Sequence, residues 1–219
     1  MKFYPSILSD SIEEVEYQLQ VAQSLKSVET VQIDIVDGLF ADNLTITPTD
    51  LLSSEFGKLK LDFHLMVDEP MDFVHEIIDA LDQLPVRAVI AQIEHLSYPD
   101  ELIKELKTHQ LEIGLSLDLH TPIDEIKTEI YQELGLVQLM AVEAGFQGQV
   151  LQDSIYLKIK QLKQFLSEQN LKPEIIVDGG IKANNLVKLK KSGINALVVG
   201  SLLWSADNPQ DIAAQLNTI

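Results

Sequence analysis

The chain has 219 residues, 46% of them hydrophobic, no cysteine, and a formal net charge of −18 from 34 acidic and 16 basic side chains. That is apolar material for one large domain or two small ones, and it excludes a disulfide framework, thiolate chemistry and the basic stripe of a nucleic-acid surface. No apolar run reaches the length of a membrane span, and Met1-Lys2-Phe3-Tyr4-Pro5 lacks the features of a signal peptide. The sequence therefore predicts a soluble, cytoplasmic protein with neither nucleic acid nor membrane as partner.

Phe3 to Leu8 reads as a first strand, and Ser9-Asp10-Ser11 supplies caps for a helix with Ile12, Val15, Leu19 and Ala22 on one face. The second strand alternates Val31, Ile33 and Ile35 with Gln32, Asp34 and Val36, so its two faces differ. Asp37-Gly38 punctuates its end, and Asp37 is read as fixing that turn. An Asp within an apolar strand is costly, because a buried carboxylate needs a partner charge, a metal or a proton. A long connection, Leu39 to Pro48, leads to a short helix near Leu51. Leu59 to Val67 is the third strand and carries His64; Met71 to Leu84 follows as a helix. Val86 to Glu94 is strand four, Pro99 to Thr108 a helix, and Glu112 to Leu119 strand five. Pro122 to Glu133 is predicted as a helix entered through proline. Leu136 to Val142 is strand six, followed by the loop Ala144-Gly145-Phe146-Gln147-Gly148 and a helix from Asp153 to Glu168. Glu174 to Asp178 is strand seven, 183–192 a helix, Ala196 to Gly200 strand eight, and Gln210 to Leu216 a closing helix.

Strict strand–helix alternation through about eight units is the pattern of a single (β/α)8 TIM barrel, here one domain over 1–219. A doubly wound sheet is the competing fold, and the absence of G-x-G-x-x-G argues against it. In a barrel, strand C-termini and the loops after them face the active site. Asp34, His64 and Asp178 fall there, as do Ser6, Glu94, Asp118 and Glu143. Gly145, Gly148, Gly179, Gly180, Gly200 and Ser201 sit just past strands six, seven and eight, where this fold commonly cradles a phosphate on backbone N–H groups.

These residues together resemble the ribulose-phosphate 3-epimerase family, whose members act on a phosphorylated ketose. Pro5-Ser6-Ile7-Leu8-Ser9 is similar to the family's opening P-S-I-L-S, and Ile33-Asp34-Ile35-Val36-Asp37-Gly38 with Phe40 and Asn43 to its V-D-V-M-D-G-H-F-V-P-N. Leu61-Asp62-Phe63-His64-Leu65-Met66 is similar to L-D-V-H-L-M, and Met140 to Gln149 to M-S-V-N-P-G-F-G-G-Q. Val177-Asp178-Gly179-Gly180-Ile181 with Asn185, and Val199-Gly200-Ser201, match the last two signatures.

The resemblance implies proton transfer at C3 of a ketopentose phosphate, with Asp34 and Asp178 as acid and base and one divalent metal ion (Zn, Fe or Mn) on Asp34, His64 and Asp178. It implies substrate contacts at Ser6, His64, Met66 and Met140. It places a phosphate at Gly145, Phe146, Gln147, Gly148, Gly179, Gly180, Gly200 and Ser201. The family's first metal ligand is a His two positions before the first Asp; here that position is Gln32. An amide oxygen can ligate a hard cation, but imidazole holds Zn, Fe or Mn more strongly, so Gln32 implies a weaker or different metal. Gln92 stands where the family has a His on strand four, and Glu143 adds an acid beside the phosphate loop.

Three functional classes stay open on these residues. The first is a divergent epimerase for ribulose 5-phosphate or a related sugar phosphate. The second is a catalytically impaired relative that binds a phosphosugar. The third, an aldolase-like or decarboxylase-like enzyme, would want a Lys at a strand C-terminus, and none is predicted there. Helix surfaces of this kind also allow a homo-oligomer.

Overall fold

The structure, a computed structural model, describes residues 1–218. Eight parallel strands close into a barrel in chain order: β1 Lys2–Ile7, β2 Thr30–Val36, β3 Lys60–Met66, β4 Val86–Gln92, β5 Glu112–Leu117, β6 Leu136–Met140, β7 Glu174–Asp178 and β8 Ala196–Val199. The helices are α1 Ile12–Ser24, α2 Met71–Asp79, α3 Pro99–Thr108, α4 Thr128–Tyr131, α5 Ser154–Glu168, α6 Leu186–Ser192, α7 Ser201–Trp204 and α8 Pro209–Thr218. A 3₁₀ turn, Pro48–Ser53, makes the crossing between β2 and β3 in place of an α-helix. None of the described helices is long and apolar enough to cross a membrane.

Burial explains the alternating faces of β2. Val31, Ile33 and Ile35 point outward into the layer shared with the helices, alongside Val15 and Leu19 of α1. An inward apolar layer in the middle of the barrel holds Tyr4, Ala88, Ile90, Leu136, Ile176, Ala196 and Val198. Above it the barrel interior turns polar with Gln32, Asp34, His64, Gln92, Ser116, Gln138 and Asp178, all buried. Strand register sets their neighbours: Asp34 lies beside His64, Gln92 beside Ser116, Ser116 beside Gln138, and Met140 beside Asp178.

Helix starts follow local chemistry. The Ser11 side chain accepts from the Glu14 N–H and caps α1. Elsewhere the chain departs from its predicted elements. Pro122 to Glu133 is not one helix but a 3₁₀ turn, Ile123–Glu125, followed by the four-residue α4. Ile126 and Lys127 between them are extended, which buries Ile126 against the barrel (2% exposed). Glu94 leaves β4 for a 3₁₀ turn, Ile93–His95. The short α7 directly after β8 has no helical period to announce it; its Trp204 indole N–H donates to the Ser6 carbonyl and ties the last βα loop to the first strand.

Candidate active site

Asp34, His64 and Asp178 each offer a ligand atom, and these atoms lie within 4.8 Å of one another at the C-terminal end of the barrel. His64 Nδ1 is 3.1 Å from Asp34 Oδ1 and 3.7 Å from Asp178 Oδ2. All three residues are buried: Asp34 is 4% exposed, His64 0% and Asp178 8%. Burial drives the Asp178 carboxyl well above the ordinary carboxylate range, and the Asp34 charge adds to it; His64, the Gln32 amide and the Gly179 N–H act the other way.

Three buried glutamines surround the trio. Gln32 Nε2 donates to Asp34 Oδ1 and to Asp178 Oδ2, each at 2.8 Å, and lies 3.3 Å from His64 Nδ1. Gln138 Nε2 donates to Asp178 Oδ2 at 2.9 Å and reaches His64 Nδ1 at 3.2 Å. Gln92 Nε2 stands 3.0 Å from the other ring nitrogen, His64 Nε2. The Oε1 atoms of all three, buried, have no hydrogen-bond partner among the described residues.

Above them opens a cavity of about 50 Å³. Its lining gathers Ser6, Asp34, Met66, Met140, Gly145, Phe146, Gln147, Gly148, Asp178, Gly179, Gly180, Gly200 and Ser201. His64 and Gln32 lie beneath this lining, within reach of its two carboxyl groups. Glu143 also lines the cavity, whereas Glu94 turns aside to accept from the Asp118 backbone N–H. Asp37 accepts from the N–H groups of Leu39 and Phe40 in its own loop, as its turn position suggests, and from the Asp68 N–H in the loop after β3. Asn43 Nδ2 donates to the Gly145 carbonyl at 2.8 Å and ties the loop after β2 to the loop after β6.

Two glycines permit close approaches around the mouth. Gly180 has φ +65°, and a Cβ there would meet the Leu151 backbone nitrogen at 2.3 Å. A Cβ at Gly200 would meet Ser6 Oγ at 2.8 Å and the Gln147 amide carbon at 3.3 Å. The Gln147 side chain thus leans into the space beside Gly200 and Ser6.

The trio fits a divalent cation. Two carboxylates and an imidazole are a complete protein donor set for Zn, Fe or Mn, and the unpartnered Gln32 Oε1 is a further neutral oxygen within a half-turn of the same point. A ligating Nδ1 requires the His64 proton on Nε2, which then needs an acceptor. Half a turn of the Gln92 amide puts its unpartnered Oε1 there and satisfies both groups. Gln92→Leu is therefore expected to weaken Zn affinity by about 10–100-fold, with Gln92→Glu keeping the acceptor and most of the affinity. Competition with a chromophoric chelator measures both, and equal affinities for Leu and wild type would remove Gln92 from this role.

Sequence reasoning located the trio and the cavity lining but gave no place to Gln138. A mid-strand Gln in Leu136-Val137-Gln138-Leu139-Met140 was its one signal: strands covered by helices on one side and closed on the other leave the interior as the site for a polar residue.

Comparison with known proteins accords with the geometry. The model of the Ribulose-phosphate 3 epimerase family matches residues 2–204. The chain is 31% identical to a ribulose-phosphate 3-epimerase of Bacillus subtilis (strain 168), over 99% of this chain and 98% of that protein. It is 33% identical to the chloroplastic ribulose-5-phosphate-3-epimerase of Arabidopsis thaliana, over 92% of this chain and 71% of the relative. Among solved structures, the tryptophan synthase A-subunit of Pyrococcus furiosus superposes with TM-score 0.67 at 14% identity, covering 100% of this chain and 98% of that one. Phosphoribosyl anthranilate isomerase from Thermus thermophilus gives 0.65 at 13% identity, covering 100% and 99%; at such identities the likeness speaks for the barrel alone. A family match over residues 2–204, together with 31% identity across nearly the whole length of both chains, means that the chain belongs to the ribulose-phosphate 3-epimerase family.

Proposed function

We infer that this chain epimerises a ketose phosphate at C3, with the conversion of ribulose 5-phosphate to xylulose 5-phosphate as the first assignment. The observation that carries this reading is the meeting of Asp34 and Asp178, from strands on nearly opposite sides of the barrel, over one cavity with His64 beneath. Inversion at carbon takes a proton from one face and returns one to the other. Two carboxyl groups that reach one point from opposite sides do this without the substrate turning over. One of the two carboxyl groups takes the C3 proton and the other returns one, and the two exchange roles in the reverse direction.

A divalent cation on Asp34, His64 and Asp178, with Gln32 Oε1 as a further donor, would make the C3 proton more acidic and hold the charge that develops on the C2 and C3 oxygens. Ser6 orients the sugar, His64 acts on it only through the cation it would hold, and the buried Met66 and Met140 exclude water from the reacting carbon. The phosphate is received by the N–H groups of Gly145, Phe146, Gln147, Gly148, Gly179, Gly180, Gly200 and Ser201. Glu143, in the same lining, favours a second reading in which the preferred ketose phosphate is one other than ribulose 5-phosphate.

The test is exchange of the C3 proton of ribulose 5-phosphate with deuterated water, with Zn, Mn or Fe added or with a chelator. Metal-dependent exchange that disappears in Asp34→Asn is the expected result. No exchange with any of the metals would remove the ribulose 5-phosphate assignment.

A further inference from the structure

Gln32 does more than stand near the metal ligands: its amide nitrogen occupies their common centre. Nε2 lies 2.8 Å from Asp34 Oδ1, 2.8 Å from Asp178 Oδ2 and 3.3 Å from His64 Nδ1. A divalent cation bound by those three atoms would sit about 2.0–2.2 Å from each, so the nitrogen and a cation cannot be present together. Both amide hydrogens are committed to carboxylate oxygens, which gives two buried acids a shared donor that a cation would otherwise supply. The remaining atom of the amide, Oε1, is buried and has no donor among the described residues.

We propose that Gln32 is a metal-responsive amide rotor, with its N–H₂ turned into the trio when no cation is bound and its carbonyl oxygen turned in when one is. The two orientations differ by half a turn of one terminal torsion, which has no strongly preferred setting in a glutamine side chain. Carbonyl-in without a cation would set three oxygens against one another. Amide-in with a cation would set a donor against a positive charge. Each state thus rejects the wrong orientation, and the amide competes directly with the metal. A histidine at this position could ligate a cation but could not serve both carboxylates at once in its absence. The chain therefore holds an ordered, metal-free acidic pair at the cost of metal affinity.

The inference rests on the cation site of the proposed function and not on the identity of the sugar phosphate. Its test follows the side-chain N–H₂ signals of nitrogen-labelled Gln by NMR, with that of Gln32 assigned from its loss in Gln32→His. Without metal, a slowly exchanging Gln32 N–H₂ pair is expected. Equimolar Zn should shift it and speed its exchange with solvent. Gln32→His should bind Zn about tenfold more tightly or better, and Gln32→Leu should melt below wild type in chelator, with the gap narrowing in Zn. The wild-type NMR measurement stands whether or not either variant folds. A Gln32 signal unmoved at saturating Zn overturns the rotor, and so does failure of Zn to bind wild type and Gln32→His alike. Running the exchange assay alongside separates the two claims: exchange with a static Gln32 overturns the rotor alone, and a responsive Gln32 without exchange supports the rotor while the epimerase reading fails.

Discussion

Asp178→Asn is expected to lower epimer interconversion by about 10²–10⁴-fold while raising the melting temperature of the metal-free protein at pH 8. The loss follows from the role: an amide of the same shape can neither take nor give the C3 proton. Packing is preserved, because the Asn carbonyl can still accept from Gln32 Nε2 and Gln138 Nε2, which now share Asp178 Oδ2. The gain in stability follows from the sign of the carboxyl's shift. Burial, with the Asp34 charge beside it, raises the folded value above that of the unfolded chain, so the fold favours protonated Asp178. That contribution is fully present below the ordinary carboxylate range and is lost as pH rises through the raised folded value. Asn cannot ionise, so its advantage in chelator is largest at pH 8 and closes as the solution is made mildly acidic. Thermal melts of both proteins across that range measure it. An Asn variant that melts below wild type at pH 8 would mean that the amide donors outweigh burial, and that the ionised acid is at rest in this fold. Opposite signs for activity and stability at one residue are what a strained functional group produces.

The positions that sequence reasoning found and missed divide along one physical line. Asp34, His64 and Asp178 were legible because an ionisable group within an apolar strand has few bland explanations. Gln32 and Gln92 were visible only as departures from a family pattern, and Gln138 passed unnoticed, because a glutamine carries no charge to make its burial conspicuous. Yet the three amides crowd both ring nitrogens of His64, and two of them donate to Asp178. Fold legibility divides similarly. Strand ends came within about two residues, since apolar runs and turn residues bracket them. The stretch from Pro122 to Glu133 misled because Ile126 and Ile130 carry a helical spacing, while the chain uses Ile126 in extended backbone to seal the barrel.

At the opposite end of the barrel, Arg87→Met is expected to destabilise the protein by roughly 3–5 kcal/mol, a fall in melting temperature of about 6–20 °C. Asp62 is 1% exposed and receives two hydrogen bonds from the Arg87 guanidinium, one from Nε at 2.8 Å and one from Nη2. The same guanidinium lies over the Tyr4 ring, 4.9 Å from its centroid, and 3.6 Å from Glu174 Oε2. Tyr4 in turn donates its hydroxyl to Glu174 Oε1 at 2.8 Å, so one cation organises two acids and an aromatic ring across β1, β3, β4 and β7. Burial pushes the Asp62 carboxyl up to about 6 even with Arg87 pulling it down. Methionine fills the volume but removes that pull, leaving a buried carboxyl that is stable only when protonated. The folded value stays above the unfolded one, so stability in the variant is recovered as pH falls and lost as pH rises, and the deficit is widest above neutrality. Arg87→Met combined with Asp62→Leu removes the stranded acid and should regain most of the loss, since an apolar pair can replace a buried ion pair with little change in stability. Chemical denaturation of the single and double variants at pH 8 decides the matter: a single variant within 1 kcal/mol of wild type (about fivefold in the folding equilibrium) would show that the ion pair merely decorates this end of the barrel. Either variant should leave Zn affinity unchanged, because the apolar layer of Ala88, Ile90, Leu136, Ile176, Ala196 and Val198 separates this cluster from the acids at the mouth.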